Sequence, residues 1–177
     1  MDVTRTPFMQ RSSQAAHADV VARAASASLS EALPAEVSGT TDGPDLLLPT
    51  GVRLRRMHVD GQRVTSSQLR QAIRGVQMLP IQDQQLIARL GIVIELLPVR
   101  HLEQISGTSD PVVGATTVMG PPGNGRATRI RIAMQMGQLQ HKTKISDVVK
   151  HEIGHVMAVT AHQDRSEQAA EAYAARY

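Results

Sequence analysis

The chain has no cysteine and no tryptophan, and its only aromatic residues are Phe8, Tyr173 and Tyr177. Without thiols there is no disulfide, no cysteine-bearing zinc ribbon and no cysteine nucleophile. With so few rings the core has to be aliphatic, and base stacking on aromatic side chains is not expected to be how the protein works. Lysine is nearly absent as well: Lys142, Lys144 and Lys150 stand among 19 basic residues, the others being arginine. The formal net charge of +3 and the pI near 9.8 invite a nucleic-acid reading. The arginines are scattered, however, and the cluster Arg53, Arg55 and Arg56 alternates with Val52 and Leu54 as on a half-exposed strand. No nucleic-acid partner is expected, although a basic surface would steer acidic substrates. There is also no apolar run long enough for membrane insertion, no internal repeat, no glycine-rich phosphate loop and no Ser-His-Asp arrangement.

What is present divides unevenly. At 177 residues the chain has the length of one domain. Residues 1–45 are rich in Ala, Ser, Thr and Gln and lack the apolar core of a secretory signal. They are expected to be disordered or weakly helical, with an export signal read by a specialised injection apparatus as the functional alternative. The stretch Val37 to Pro49, with the turn signal Thr40-Thr41-Asp42-Gly43, reads as a linker into a domain over 46–177. In that domain Val52 to Val59 reads as a strand closed by an Asp60-Gly61 turn. Ser66 or Ser67 caps a helix through Gln77, Ile81 to Leu90 forms another ended by Gly91, and Ile92 to Leu97 is a buried strand. Val112 to Met119 and Thr128 to Gln135 are two further strands around the loop Gly120-Pro121-Pro122-Gly123-Asn124-Gly125. The alternation Arg129-Ile130-Arg131-Ile132-Ala133-Met134 suggests an edge strand with its arginines outward, able to pair with an extended substrate backbone.

The chemistry is concentrated in His151-Glu152-Ile153-Gly154-His155. On a helix the two histidines four apart point the same way, so both imidazoles can hold one metal ion while Glu152 faces the same cleft. Neutral imidazole is a good zinc ligand, and the carboxylate beside it can take a proton from water. Val148, Val149, Ile153, Val156 and Met157 carry no charge, as befits a helix crossing the middle of a domain. Gly154 costs about 1 kcal/mol relative to alanine inside a helix, and close approach of another backbone would account for it. The plainer alternative is a core helix whose histidines are merely hydrogen-bonded.

Catalytic zinc usually takes three protein ligands. The motif helix is expected over about Asp147 to Thr160, and a second helix from Ser166, its N-cap, to the C-terminus. Folded back about Ala161 as an antiparallel hairpin, Glu167 lies level with His155 and Glu171 level with His151. One carboxylate then binds the metal and the other orients a ligand histidine. We assign Glu167 to the metal and Glu171 to His151, with the exchange of roles as the alternative. An acidic solvent face is the ordinary meaning of such a Glu pair. His162 lies one place beyond the third histidine of the metzincin pattern, and Ala158 replaces its glycine; as a fourth ligand it would instead close a structural zinc site.

The letters His151-Glu152-Ile153-Gly154-His155 followed by Ser166-Glu167-Gln168-Ala169-Ala170-Glu171-Ala172-Tyr173-Ala174 resemble the catalytic domain of anthrax lethal factor and the related secreted Pro-Pro endopeptidases. The resemblance implies a zincin-like, gluzincin-type metallopeptidase with Glu167 as metal ligand and Glu171 in support. The family's insert between histidine and glutamate is longer and holds an oxyanion-supporting tyrosine; this chain has 11 residues there and no tyrosine. Tyr173, Tyr177 or His162 is the candidate substitute. The intracellular ImmA/IrrE-type regulator-cleaving peptidases are similar over the same letters.

The expected protein is therefore an α+β, compact zincin-like metallopeptidase domain with a small mixed sheet, an active-site helix and a C-terminal glutamate helix. It would bind Zn2+ through His151, His155 and Glu167 and use Glu152 as base on a protein or peptide substrate. It would act as a monomer, secreted without a Sec signal and delivered into host cells, or alternatively in the cytoplasm. A zincin-fold binding protein without turnover is the rival.

Overall fold

The computed structural model describes residues 39–100, 102, 112–119, 126–135, 144–162, 164 and 166–177. The N-terminal export-signal reading and the Gly120–Gly125 loop lie outside the described residues. The described part is an α+β fold in which a mixed sheet carries four helices. In chain order the elements are β1 (Thr40–Thr41), β2 (Leu46–Leu47), β3 (Arg53–Val59), β4 (Gln62–Arg63), α1 (Ser66–Gln77) and α2 (Ile81–Arg89). There follow β5 (Val93–Leu97), β6 (Gly114–Met119), β7 (Arg126–Ala133), α3 (Ile145–His162) and α4 (Glu167–Ala174).

The sheet order is β1-β3-β5-β7-β6, with β2 and β4 also paired to β3. The strands β3, β5 and β7 run parallel, and β6 closes one side antiparallel to β7. Alternation sorts their side chains. Leu54, Ile94, Leu96, Ile130 and Ile132 join the main core with Val149, Ile153 and Val156 of α3, while Leu97, Ala115 and Ala133 form a smaller cluster with Leu102 and Val112. Successive strand residues face opposite ways, so these are the two faces of one sheet.

Three expectations are corrected. The strand bearing Arg129 and Arg131 is internal, with β5 on one side and β6 on the other. Arg131 is buried, and its Nε donates to Glu95 Oε2 at 3.2 Å; a buried cation is tolerated because a carboxylate answers it. The presumed linker contains β1 and β2, both antiparallel to β3, and between them Asp45 accepts two hydrogen bonds from Arg55 at 2.8 and 3.1 Å. Arg55, half-buried as expected of this strand, is thus ion-paired. Finally, α1 is capped by Thr65: its hydroxyl accepts from the Gln68 backbone N–H, and its own N–H donates to the Gln68 side chain. This reciprocal pair satisfies two of the donors that a helix start leaves free.

Candidate metal centre

Helix α3 runs over β6 and β7 and is flanked by α1 and α4. Every residue from Val148 to Val159 is buried, including Lys150, whose ammonium reaches Asp147 one turn back at 2.9 Å. The four-residue spacing brings the rings of His151 and His155 to 4.9 Å between centroids, edge to face at 88°. Sequence reasoning placed this helix correctly and shortened it slightly at both ends.

Ser166 caps α4 as expected, its hydroxyl accepting from the Ala169 N–H at 3.2 Å. The backbone that explains Gly154 is that of α4: a Cβ at position 154 would lie 2.7 Å from the Ala170 carbonyl oxygen and 3.0 Å from its Cα. That approach sets Glu167, the first residue of α4, over the motif. Glu167 Oε2 is 3.1 Å from His151 Nε2 and 3.3 Å from His155 Nε2. Burial by itself would raise the Glu167 pKa, but the two imidazoles outweigh it and hold the carboxyl down to about 2. Burial would likewise lower His151; the hydrogen bond with Glu167 and the charges of Glu152, Glu167 and Glu171 overcome that and raise it.

These three residues form a group that could hold a metal ion, with one donor atom from each lying within 4.8 Å of the others. A tetrahedral ion bonded at 2.0–2.1 Å separates its ligand atoms by about 3.3 Å, close to the two distances to Glu167. His155 Nε2, fully buried, makes no hydrogen bond of good geometry among the described residues, although a carboxylate oxygen lies 3.3 Å away. A buried polar atom without such a bond is costly, and coordination would remove that cost. The donor set therefore fits a metal.

Glu152 departs from a simple cleft-facing base. It is 1% exposed and turns toward β6, where the Thr116 hydroxyl lies 2.7 Å from its Oε2 and 3.1 Å from its own backbone oxygen. On the same strand face a Cβ at Gly114 would collide with Glu152 Oε1 and come within 2.7 Å of Cδ and 2.8 Å of Cγ. Burial pushes this carboxyl up from the ordinary range, only partly offset by the neighbouring imidazoles and Thr116. Gly114 and Thr116 were missed in the sequence. The available signal was a strand presenting a glycine and a hydroxyl two apart, a face with room for a side chain from opposite.

The remaining candidates separate. Glu171 bears on His151 through its charge, but its Oε1 is buried and makes no hydrogen bond among the described residues, as is true of both histidine Nδ1 atoms. The expected Glu171–His151 bond is thus not formed. Tyr173 is not available as oxyanion support: its hydroxyl donates to Asp83 Oδ2 of α2 at 2.6 Å, and burial followed by that bond pushes its pKa up. His162 is the last residue of α3, and its side chain lies outside the described residues. No protein-family model matches the chain, and no curated protein or solved structure matches it either.

Proposed function

We propose that the protein is a zinc-dependent endopeptidase of zincin type, hydrolysing a peptide bond of a protein substrate. The observation that carries this reading is the convergence of His151 Nε2, His155 Nε2 and Glu167 Oε2, with a second carboxylate, Glu152, on the same helix turn. His151, His155 and Glu167 would hold the ion. Bound there, zinc supplies Lewis acidity toward a carbonyl and toward water. Glu152 takes a proton from the attacking water as its oxygen bonds to the carbonyl carbon, and returns that proton to the nitrogen as the C–N bond breaks. Burial raises the proton affinity of Glu152, which favours its taking up a proton. Export without a Sec signal and action inside host cells belong to the same proposal through the family resemblance, with a cytoplasmic regulator-cleaving role as its alternative.

The burial of His155 and Glu152 favours a second reading, a metal that braces α4 against α3 without turnover. Cleavage of a peptide library by zinc-loaded protein, abolished by a chelator and by Glu152→Gln with zinc content unchanged, supports the peptidase. Zinc bound at full stoichiometry with no cleavage by the wild-type chain supports the brace. Cleavage that persists in Glu152→Gln refutes the assigned base.

A further inference from the structure

We propose that Gly114 and Thr116 of β6 form a socket that fixes the Glu152 carboxyl, and that they are positioning residues for the hydrolysis proposed above, on which this inference rests. Glu152 is anchored through its backbone to α3, but the torsion that orients its carboxyl is intrinsically soft, with a broad two-fold profile. In the structure one carboxyl oxygen is hydrogen-bonded from the sheet and the other fills the space beside Gly114. Oε2 accepts from the Thr116 hydroxyl at 2.7 Å, while Oε1, Cδ and Cγ occupy the space that a side chain at 114 would fill. The hydrogen bond holds one oxygen, and the missing Cβ at Gly114 leaves the room that the carboxyl needs in this orientation. The hydroxyl also lies 3.1 Å from the Glu152 backbone oxygen, but its single proton serves one acceptor at a time, and the shorter distance assigns it to the carboxyl.

The strand that does this is the outermost of the described strands on its side of the sheet, so the socket ties the base to the sheet as well as to the ligand helix. A reacting group has to be held within roughly 0.5 Å of its working position, and a misplacement of about 1 Å can cost on the order of a hundredfold in rate. Gly114 and Thr116 both meet Glu152, and they act through it.

The test uses the full chain in two states. In zinc-loaded protein, Thr116→Val is expected to keep zinc affinity within about twofold and lower kcat about 10- to 100-fold with little change in KM, and Thr116→Ser, which restores the hydroxyl, is expected to recover most of the loss. In zinc-free protein, Gly114→Ala is expected to lower the thermal midpoint by about 4 °C or more, and to do so far less in a Glu152→Ala background, where the colliding atoms are gone. An equal midpoint drop in both backgrounds overturns the socket. Unchanged kcat in Thr116→Val overturns the positioning role. A wild-type chain that binds zinc and cleaves nothing overturns the hydrolysis reading and with it the catalytic half of the proposal, while the midpoints still decide for or against the socket.

Discussion

Replacing Gly154 by alanine sets two effects of opposite sign against each other. As a change inside a helix it gains about 1 kcal/mol in propensity. As a change at a helix crossing it places a methyl 2.7 Å from the Ala170 oxygen, 3.0 Å from its Cα and 3.2 Å from its carbonyl carbon, where carbon contacts settle at about 3.5–4.0 Å. Helix α4 has to retreat by roughly 0.5–1 Å, and overpacking of this kind costs about 1–3 kcal/mol. The expected net loss of stability without metal is about 0–2 kcal/mol, or a few degrees in midpoint.

The larger effect is expected at the proposed metal site. Glu167 lies three residues before Ala170, less than one turn, so its carboxyl moves with the retreat, whereas metal–ligand distances tolerate only about ±0.2 Å. We expect zinc affinity to fall at least as far as for loss of an outer supporting group, about 10- to 100-fold. At a zinc concentration near 100 times the wild-type Kd, bound zinc contributes about 2.7 kcal/mol; a hundredfold loss of affinity removes most of it. Competition with a chromophoric chelator measures the affinity, and thermal unfolding with and without zinc measures the linkage. A Gly154→Ala protein that binds zinc like the wild type and melts higher would refute the close crossing and the dependence of the site upon it.

Glu167→Ala should abolish tight zinc binding, while Glu171→Ala should weaken it about 10- to 100-fold at most; metal content after dialysis distinguishes them, and the opposite order would exchange the two roles. Tyr173→Phe removes the hydroxyl that donates to Asp83 and should cost about 1–3 kcal/mol in denaturant unfolding, with zinc affinity largely retained; a loss of zinc without a loss of stability would contradict the assigned partner. Asp45 has its carboxyl held below the ordinary range chiefly by the Arg55 hydrogen bond. The stability it contributes is therefore full above the unfolded value of about 3.9 and disappears as pH falls through the lower folded value. Wild type should exceed Asp45→Asn at neutral pH by less than about 1 kcal/mol after solvent screening, and the two should converge on acidification; a gap that widens toward low pH has the wrong sign.

The elements that can be read in the sequence are those specified by neighbours in the chain. The spacing of His151 and His155, the cap at Ser166 and the shortness of the link between them are local, and together they suffice to bring Glu167 to the histidines. What escaped depends on partners far away. Arg131 alternates with Ile130 and Ile132 as an exposed residue would, and only its encounter with Glu95, 36 residues earlier, makes it internal. Glu95 in turn sat inside an apolar run with nothing local to explain it. The two-residue strands β1 and β2 pair with β3 through Thr40, Thr41, Leu46 and Leu47, and so short a pairing leaves no period to detect. Gly114 and Thr116 acquire meaning only once Glu152 arrives from a helix 36 residues downstream of Thr116.

The motif uses two directions of one helix. Successive residues of a helix are turned by about 100°, so His151 and Glu152 cannot face the same neighbour squarely. The histidines look to α4, where Glu167 meets them, and Glu152 looks to β6, where Thr116 meets it. Both neighbours have to come close for short polar contacts to form, and on each flank a glycine permits it: Gly154 against the Ala170 backbone and Gly114 against the Glu152 side chain. The same closeness explains why His155 and Glu152 are sealed while the Glu167 side chain keeps 17% of its surface exposed. It also separates the functions experimentally. Crowding the α4 flank should disturb the ion and spare the base, whereas crowding the β6 flank should disturb the base and spare the ion, an asymmetry that a helix with two fortuitously placed histidines would not show.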